Sequence, residues 1–132
     1  MAEKSAAQYR VWNRDLSSQI QVNATGGDVT LGTAPSANHT IYVQRIIAYV
    51  TTDAAVDWSF EDSASTAINV AKLTTSPGVD TRWDFVFGDI GMPLTEGKNF
   101  VLDVSATGAA GNIEWEGYAR LTSPAAIGST NS

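Results

Sequence analysis

Apolar and polar positions alternate with a period of two along most of the chain. Val56, Trp58 and Phe60 share one phase, and Asp57, Ser59 and Glu61 share the other. Trp83, Phe85 and Phe87 repeat the pattern, as do Phe100, Leu102 and Val104 set against Val101, Asp103 and Ser105. Ile113, Trp115, Gly117, Ala119 and Leu121 alternate with Glu114, Glu116, Tyr118 and Arg120. Such alternation marks strands with one buried and one wet face, and no stretch shows helical spacing. Weaker strand signals lie at Ser18 to Ala24, Asp28 to Leu31 and Thr66 to Leu73. His39 to Thr52 is a long β-branched and aromatic run, apolar on both phases near Ile46 and Ile47. That two-sidedness suggests a central strand covered on both faces, or a face committed to a partner.

Turn-forming clusters separate these runs, among them Thr33 to Ser36, Ser76-Pro77-Gly78, Gly88 to Pro93, Glu96-Gly97 and Gly108 to Asn112. About eight strands at this spacing predict an all-β fold, a two-sheet antiparallel β-sandwich. One flat sheet of that width would leave an apolar face bare. With no cysteine pair to support an immunoglobulin-like arrangement, the jelly-roll type of two four-stranded sheets fits best. No internal repeat of the length that marks a solenoid or propeller is present.

The ends read differently. Residues 15–122 hold the sandwich pattern, and 123–132 (SPAAIGSTNS) offer only Ile127 for packing, so a flexible tail is expected there. Residues 1–14 form an N-terminal arm that begins with small polar residues and continues Tyr9-Arg10-Val11-Trp12-Asn13-Arg14. Tyr9, Arg10, Trp12 and Arg14 are of the types that dominate interface hot spots. They are candidates for an intermolecular contact, with an ordinary first strand as the alternative.

Charge narrows the partners. The chain has 132 residues, a net charge of -6, 17% charged and 43% hydrophobic residues, no cysteine and one histidine. An acidic balance lacks the electrostatic footprint of a nucleic-acid binder. Without cysteine there are no disulfides, thiolate metal sites or cysteine nucleophiles, and one histidine excludes a multi-histidine metal site. The longest strongly apolar run, Ile46 to Val50, is far short of a membrane span. The first residues, MAEKSAAQ, lack a signal-peptide core, so synthesis in a cytoplasm is expected.

Candidate chemistry is sparse. Glu114 and Glu116 lie two residues apart on one strand face, about 7 Å from each other by the strand rise. Glycosidase carboxylates span such distances but face each other across a cleft, so a solvated outer face is the simpler reading. Asp57, Glu61 and Asp62, and again Asp80, Asp84 and Asp89, raise the question of a structural calcium, but no loop pattern for it is present. His39 opens a strand with no nucleophile elbow elsewhere, and reads as a turn residue. No catalytic residue, metal or cofactor is expected. Tyr42 and Tyr118 fall on the phase opposite the core and are candidates for a surface contact, while Trp58, Trp83 and Trp115 fall inward.

The segments Ile41-Tyr42-Val43-Gln44-Arg45-Ile46-Ile47-Ala48-Tyr49-Val50 and Gly91-Met92-Pro93-Leu94-Thr95-Glu96-Gly97-Lys98-Asn99, in a small acidic cysteine-free β-sandwich, resemble the decoration (cement) proteins of tailed bacteriophage capsids. The resemblance covers roughly residues 39 to 121. It implies a jelly-roll protein assembling as a small homo-oligomer, a dimer or trimer, on the outside of the virion. There it would bind the major capsid protein at the joints between subunits, often through terminal arms. The other readings are a neck, tail or head-fibre protein and a carbohydrate-binding sandwich.

Overall fold

The structure, a computed structural model, describes residues 13–22, 26–52, 54–107 and 109–122. Nine strands follow one another: β1 (Asn13–Val22), β2 (Gly27–Gly32), β3 (His39–Thr52), β4 (Asp57–Asp62), β5 (Asn69–Thr74), β6 (Thr81–Val86), β7 (Met92–Pro93), β8 (Phe100–Val104) and β9 (Ala109–Leu121). The larger sheet runs β1-β9-β3-β6, with β7 also on β3, and the smaller runs β2-β8-β4-β5. Every pairing is antiparallel. First strand pairs with last, β2 with the last but one, and the hairpin β4–β5 lies at the tip. This is the order produced when one long folded ribbon rolls into two sheets, the jelly roll.

The core explains the alternation. Trp58, Phe60, Phe100, Leu102 and Val104 of the smaller sheet face Ile41, Val43, Ile46, Ala48, Val50, Ile113 and Trp115 of the larger, all buried. Phe100 meets Trp115 edge-on with ring centroids 4.9 Å apart, an arrangement favoured by the ring quadrupoles. The indole N–H of Trp115 donates to the Leu31 carbonyl (3.1 Å), and so does the hydroxyl of Ser18 (3.0 Å). Those two bonds close the seam between β1, β9 and β2.

Five features depart from the sequence reading. β1 begins at Asn13 and ends at Val22, so the backbone of Asn13 and Arg14 belongs to the sheet. Met92-Pro93, inside a stretch rich in turn residues, makes a two-residue strand on Tyr42 and Val43; proline has no N–H to give, which keeps the pairing short. Ile46 faces the core and Ile47, half-buried, the outer face, so β3 is apolar on both sides there; just before them it has a bulge between Val43 and Arg45. Inward residues are Ile41 and Val43 before it, and Ile46, Ala48 and Val50 after it, so the phase flips by one at Gln44. Trp83 points inward but is only half-buried, because β6 is an edge strand. Val101, on the outward phase, is nonetheless buried, flanked by Thr30 and Glu61 on the neighbouring strands.

Candidate functional site

The outer face of the larger sheet collects most of the chemistry-bearing side chains. Register sets its rows. Asp15, Tyr118, Tyr42 and Pro93 lie side by side across β1, β9, β3 and β7. The next row holds Ser17, Glu116, Arg45 and Val86, and the next Gln19, Glu114, Ile47 and Asp84. Without the bulge at Gln44, Tyr42 and Arg45 would fall on opposite faces; the extra residue puts both outside.

Tyr42 and Tyr118 stack with ring centroids 4.9 Å apart and planes 6° from parallel. The Tyr118 hydroxyl donates to the carbonyl of Ile90 (2.7 Å), tying the β6–β7 loop to β9. Partial burial, then the neighbouring Tyr42, raise the Tyr118 hydroxyl above its ordinary value, against a smaller lowering by Arg120. Ile90, which holds Tyr118, is 75% exposed, and Val86, opposite Arg45 in the next row, is 68% exposed.

Arg45 grips Asp84 with two hydrogen bonds, Nε to Oδ1 at 3.0 Å and a terminal nitrogen to Oδ2 at 2.7 Å. That bond holds the Asp84 carboxyl below the ordinary range and raises the guanidinium, with Glu116 and Glu114 adding further attraction on Arg45. Both partners are well solvated, so water screens the pair and it adds little to the stability of the fold. Ser17, Gln19, Arg45, Ile47, Glu114 and Glu116 contribute to the walls of a shallow depression of about 220 Å³. Glu114 and Glu116 are exposed and point the same way, with Arg45 beside them. They do not oppose each other across a bond to be cleaved.

The remaining candidates scatter. His39 is buried, with Nδ1 2.7 Å from the Ser36 hydroxyl, and its backbone N–H bonds the Ser36 carbonyl, so it closes a turn. Asp57 accepts from Thr74 (2.7 Å) and lies 3.4 Å from Lys72; the Thr74 bond, then Lys72, lower its carboxyl. Asp62 turns inward to bind loop amides. Glu61 points out of the smaller sheet and joins Asp28 and Asp103, their carboxylate oxygens lying within 4.8 Å of one another. Sequence reading missed this trio because Asp28 and Asp103 become neighbours only through the β2–β8 register. The trio lies on the outer face of the smaller sheet, with Asp28 exposed and Glu61 and Asp103 half-buried. Tyr9, Arg10 and Trp12 lie outside the described residues, and Arg14 is placed by its backbone alone, opposite Ala119.

No protein-family profile matches the sequence, and no curated protein matches it. Among solved structures, a chain of the disulfide-linked pili of Bacillus endospore appendages aligns with a TM-score of 0.45 and 11% identity, over 85% of this chain and 90% of that one. The virus-like particle of the Macrobrachium rosenbergii extra small virus gives 0.43 and 12%, over 81% and 79%. A chain of infectious bursal disease virus, Gx strain, gives 0.43 and 14%; the match covers 81% of this chain but only 31% of the viral one. Similarity this low carries no argument about function, and the fold assignment stands on the strand order itself.

Proposed function

We propose that this chain is a non-enzymatic structural protein of a virus particle, a decoration protein that sits on the outside of a phage head and braces the joints between major capsid subunits. The observation that carries the reading is a jelly roll whose interior is filled by its own core. Jelly rolls serve as capsid and lectin domains and as cupins. A cupin needs polar ligands in the space between its sheets, and here Trp58, Phe60, Phe100, Ile46 and Trp115 occupy it. A lectin-like platform needs free aromatic faces, whereas Tyr42 and Tyr118 each give one face to the other. Capsid work needs neither; it asks for a rigid body with surface to present. The outer face of the larger sheet, with Tyr42, Tyr118, Ile90 and Val86, supplies that surface, and the Tyr9, Arg10, Trp12 and Arg14 segment is the second proposed contact.

Quantitative mass spectrometry of purified particles from the source, counting this chain against the major shell protein, tests the proposal. A copy number comparable with the shell protein is expected. A handful of copies per particle moves the chain to the neck or tail, and its absence overturns the virion reading altogether.

A further inference from the structure

The sheet edges are β1 and β6, with the two-residue β7, in the larger sheet, and β2 and β5 in the smaller. Edge strands invite pairing with other chains and are normally blunted by charge, bulges, proline or shortness. β2 has a bulge between Thr30 and Gly32 and a glycine at each end. β5 carries the exposed Lys72 and meets a bulge at Phe60–Glu61. β6 is six residues long with Arg82 and Asp84 in it. β1 has none of these devices across its centre. It runs ten residues, pairs with β9 without a break in register, and from Leu16 to Val22 contains no charge, proline or glycine. Among the described residues no strand pairs with its other edge.

We propose that β1 pairs antiparallel with β1 of a second copy, about a two-fold axis through Ser18. The sequence around Ser18 reads nearly the same in both directions by polarity: Asp15-Leu16-Ser17-Ser18-Gln19-Ile20-Gln21. Pairing centred there sets Leu16 opposite Ile20 of the partner copy on the core-facing side, and Ser17 opposite Gln19 on the outer side. Leu16 and Ile20 pack only partly against the core, and each gains an aliphatic neighbour across the new junction. Asp15 falls opposite position 21, so no like charges meet. A two-fold axis normal to the sheet keeps both core faces on one side, joins the two larger sheets into one, and uses up the open edge on each copy. Such an isologous contact closes at the dimer. The inference stands on the edge itself and does not depend on the virion reading.

Sedimentation of the full chain over a range of concentrations is the test. A dimer is expected. Ser17→Lys with Gln19→Lys places lysines opposite each other across the axis, and should give a folded monomer by circular dichroism. Ser17→Glu with Gln19→Glu should do the same, and an equimolar mixture of the two should restore the dimer, a result that misfolding cannot produce. Ser18→Cys, in a chain with no other cysteine, should cross-link on mild oxidation, because directly opposed residues of an antiparallel pair lie within disulfide range. Its cross-link also decides the matter should the charged variants fail to fold. A monomer at every concentration overturns the proposal. So does a dimer indifferent to the lysines, a mixture that stays monomeric, or an open ladder of oligomers, which would mark β1 pairing with β6 of the next copy.

Discussion

Asp62 shows how one carboxylate organises two loops. It is buried at the end of β4 and accepts backbone N–H bonds from Ala64 (3.0 Å), Ile68 (3.2 Å) and Thr95 (2.9 Å). Burial pushes the carboxyl up, but the bonds from Thr95, Ala64 and Ile68 outweigh that and leave it below the ordinary value. Its stabilising contribution is therefore complete above the ordinary carboxylate range and is lost as pH falls through its lowered value. Asp62→Ala leaves three amides without their acceptor and should cost about 2–4 kcal/mol in urea unfolding. Asp62→Asn keeps one acceptor oxygen and should cost less. Equal losses for the two variants would mean the hydrogen bonds are not what the loops depend on.

Asp103 and Glu61 behave in the opposite sense. Burial first, then neighbouring carboxylates, raise both above their ordinary values. The stability tied to them is present at pH below the ordinary carboxylate range and is lost as pH rises through the raised values. At neutral pH the trio with Asp28 is a site of repulsion. Asp103→Asn should raise the stability by roughly 0.5 kcal/mol, the scale of a cross-strand charge pair. The gain should fade in acid, where Asp103 is already protonated. A gain that persists unchanged there would assign it to packing instead.

At the scale of the strand, the bulge in β3 and Gly117 in β9 act together. Gly117 lies opposite Val43, and a Cβ at this position would run into the carbonyl oxygen of Tyr42 and press on the Trp115 ring. Gly117→Ala should therefore destabilise by about 1–3 kcal/mol, the range for overpacking. Near-ultraviolet circular dichroism should change with it, because the Tyr42–Tyr118 stack sits beside the site. A variant as stable as the parent would show that the bulge relaxes freely.

The same pair of strands shows what was legible beforehand. Period-two patterning located every strand that has one wet and one apolar face, and the phase of Tyr42 and Tyr118 placed both outside. A bulge leaves no mark in composition, so the change of phase at Gln44 stayed hidden, while Ile46 and Ile47, both beyond it, do face opposite sides of a central strand. Partners set by register were equally hidden: nothing local joins Asp28 to Asp103, Tyr42 to Tyr118, or Arg45 to Asp84. Met92-Pro93 was masked by the turn residues around it. β1 was placed late because Asn13 to Ser17 contains a single apolar residue, Leu16, and earns its strand from β9 alone.

For the whole molecule, charge is spread unevenly along the chain. Residues 1–12 hold Lys4, Arg10 and Glu3, a net of +1, and residues 123–132 hold no charge; of the overall -6, residues 13–122 therefore carry -7. Among the described residues the buried core begins at Leu31 and ends at Ala119, with Leu16 and Ile20 packed upon it. Deleting residues 1–12, which stops short of β1, should therefore leave the thermal midpoint of the sandwich nearly unchanged. On the proposed function, the same deletion should abolish attachment to particles stripped of this protein, because it removes Tyr9, Arg10 and Trp12 together. Arg10→Glu should weaken attachment, and the loss should be greatest at low salt, where screening is weakest. Melting curves with particle co-sedimentation separate the outcomes. A truncated protein that still binds would shift the contact onto the outer face of the larger sheet, and Tyr42→Ala with Ile90→Asp would become the informative variant. A truncated protein that no longer folds would make residues 1–12 part of the body, and the separation of fold from contact would fail.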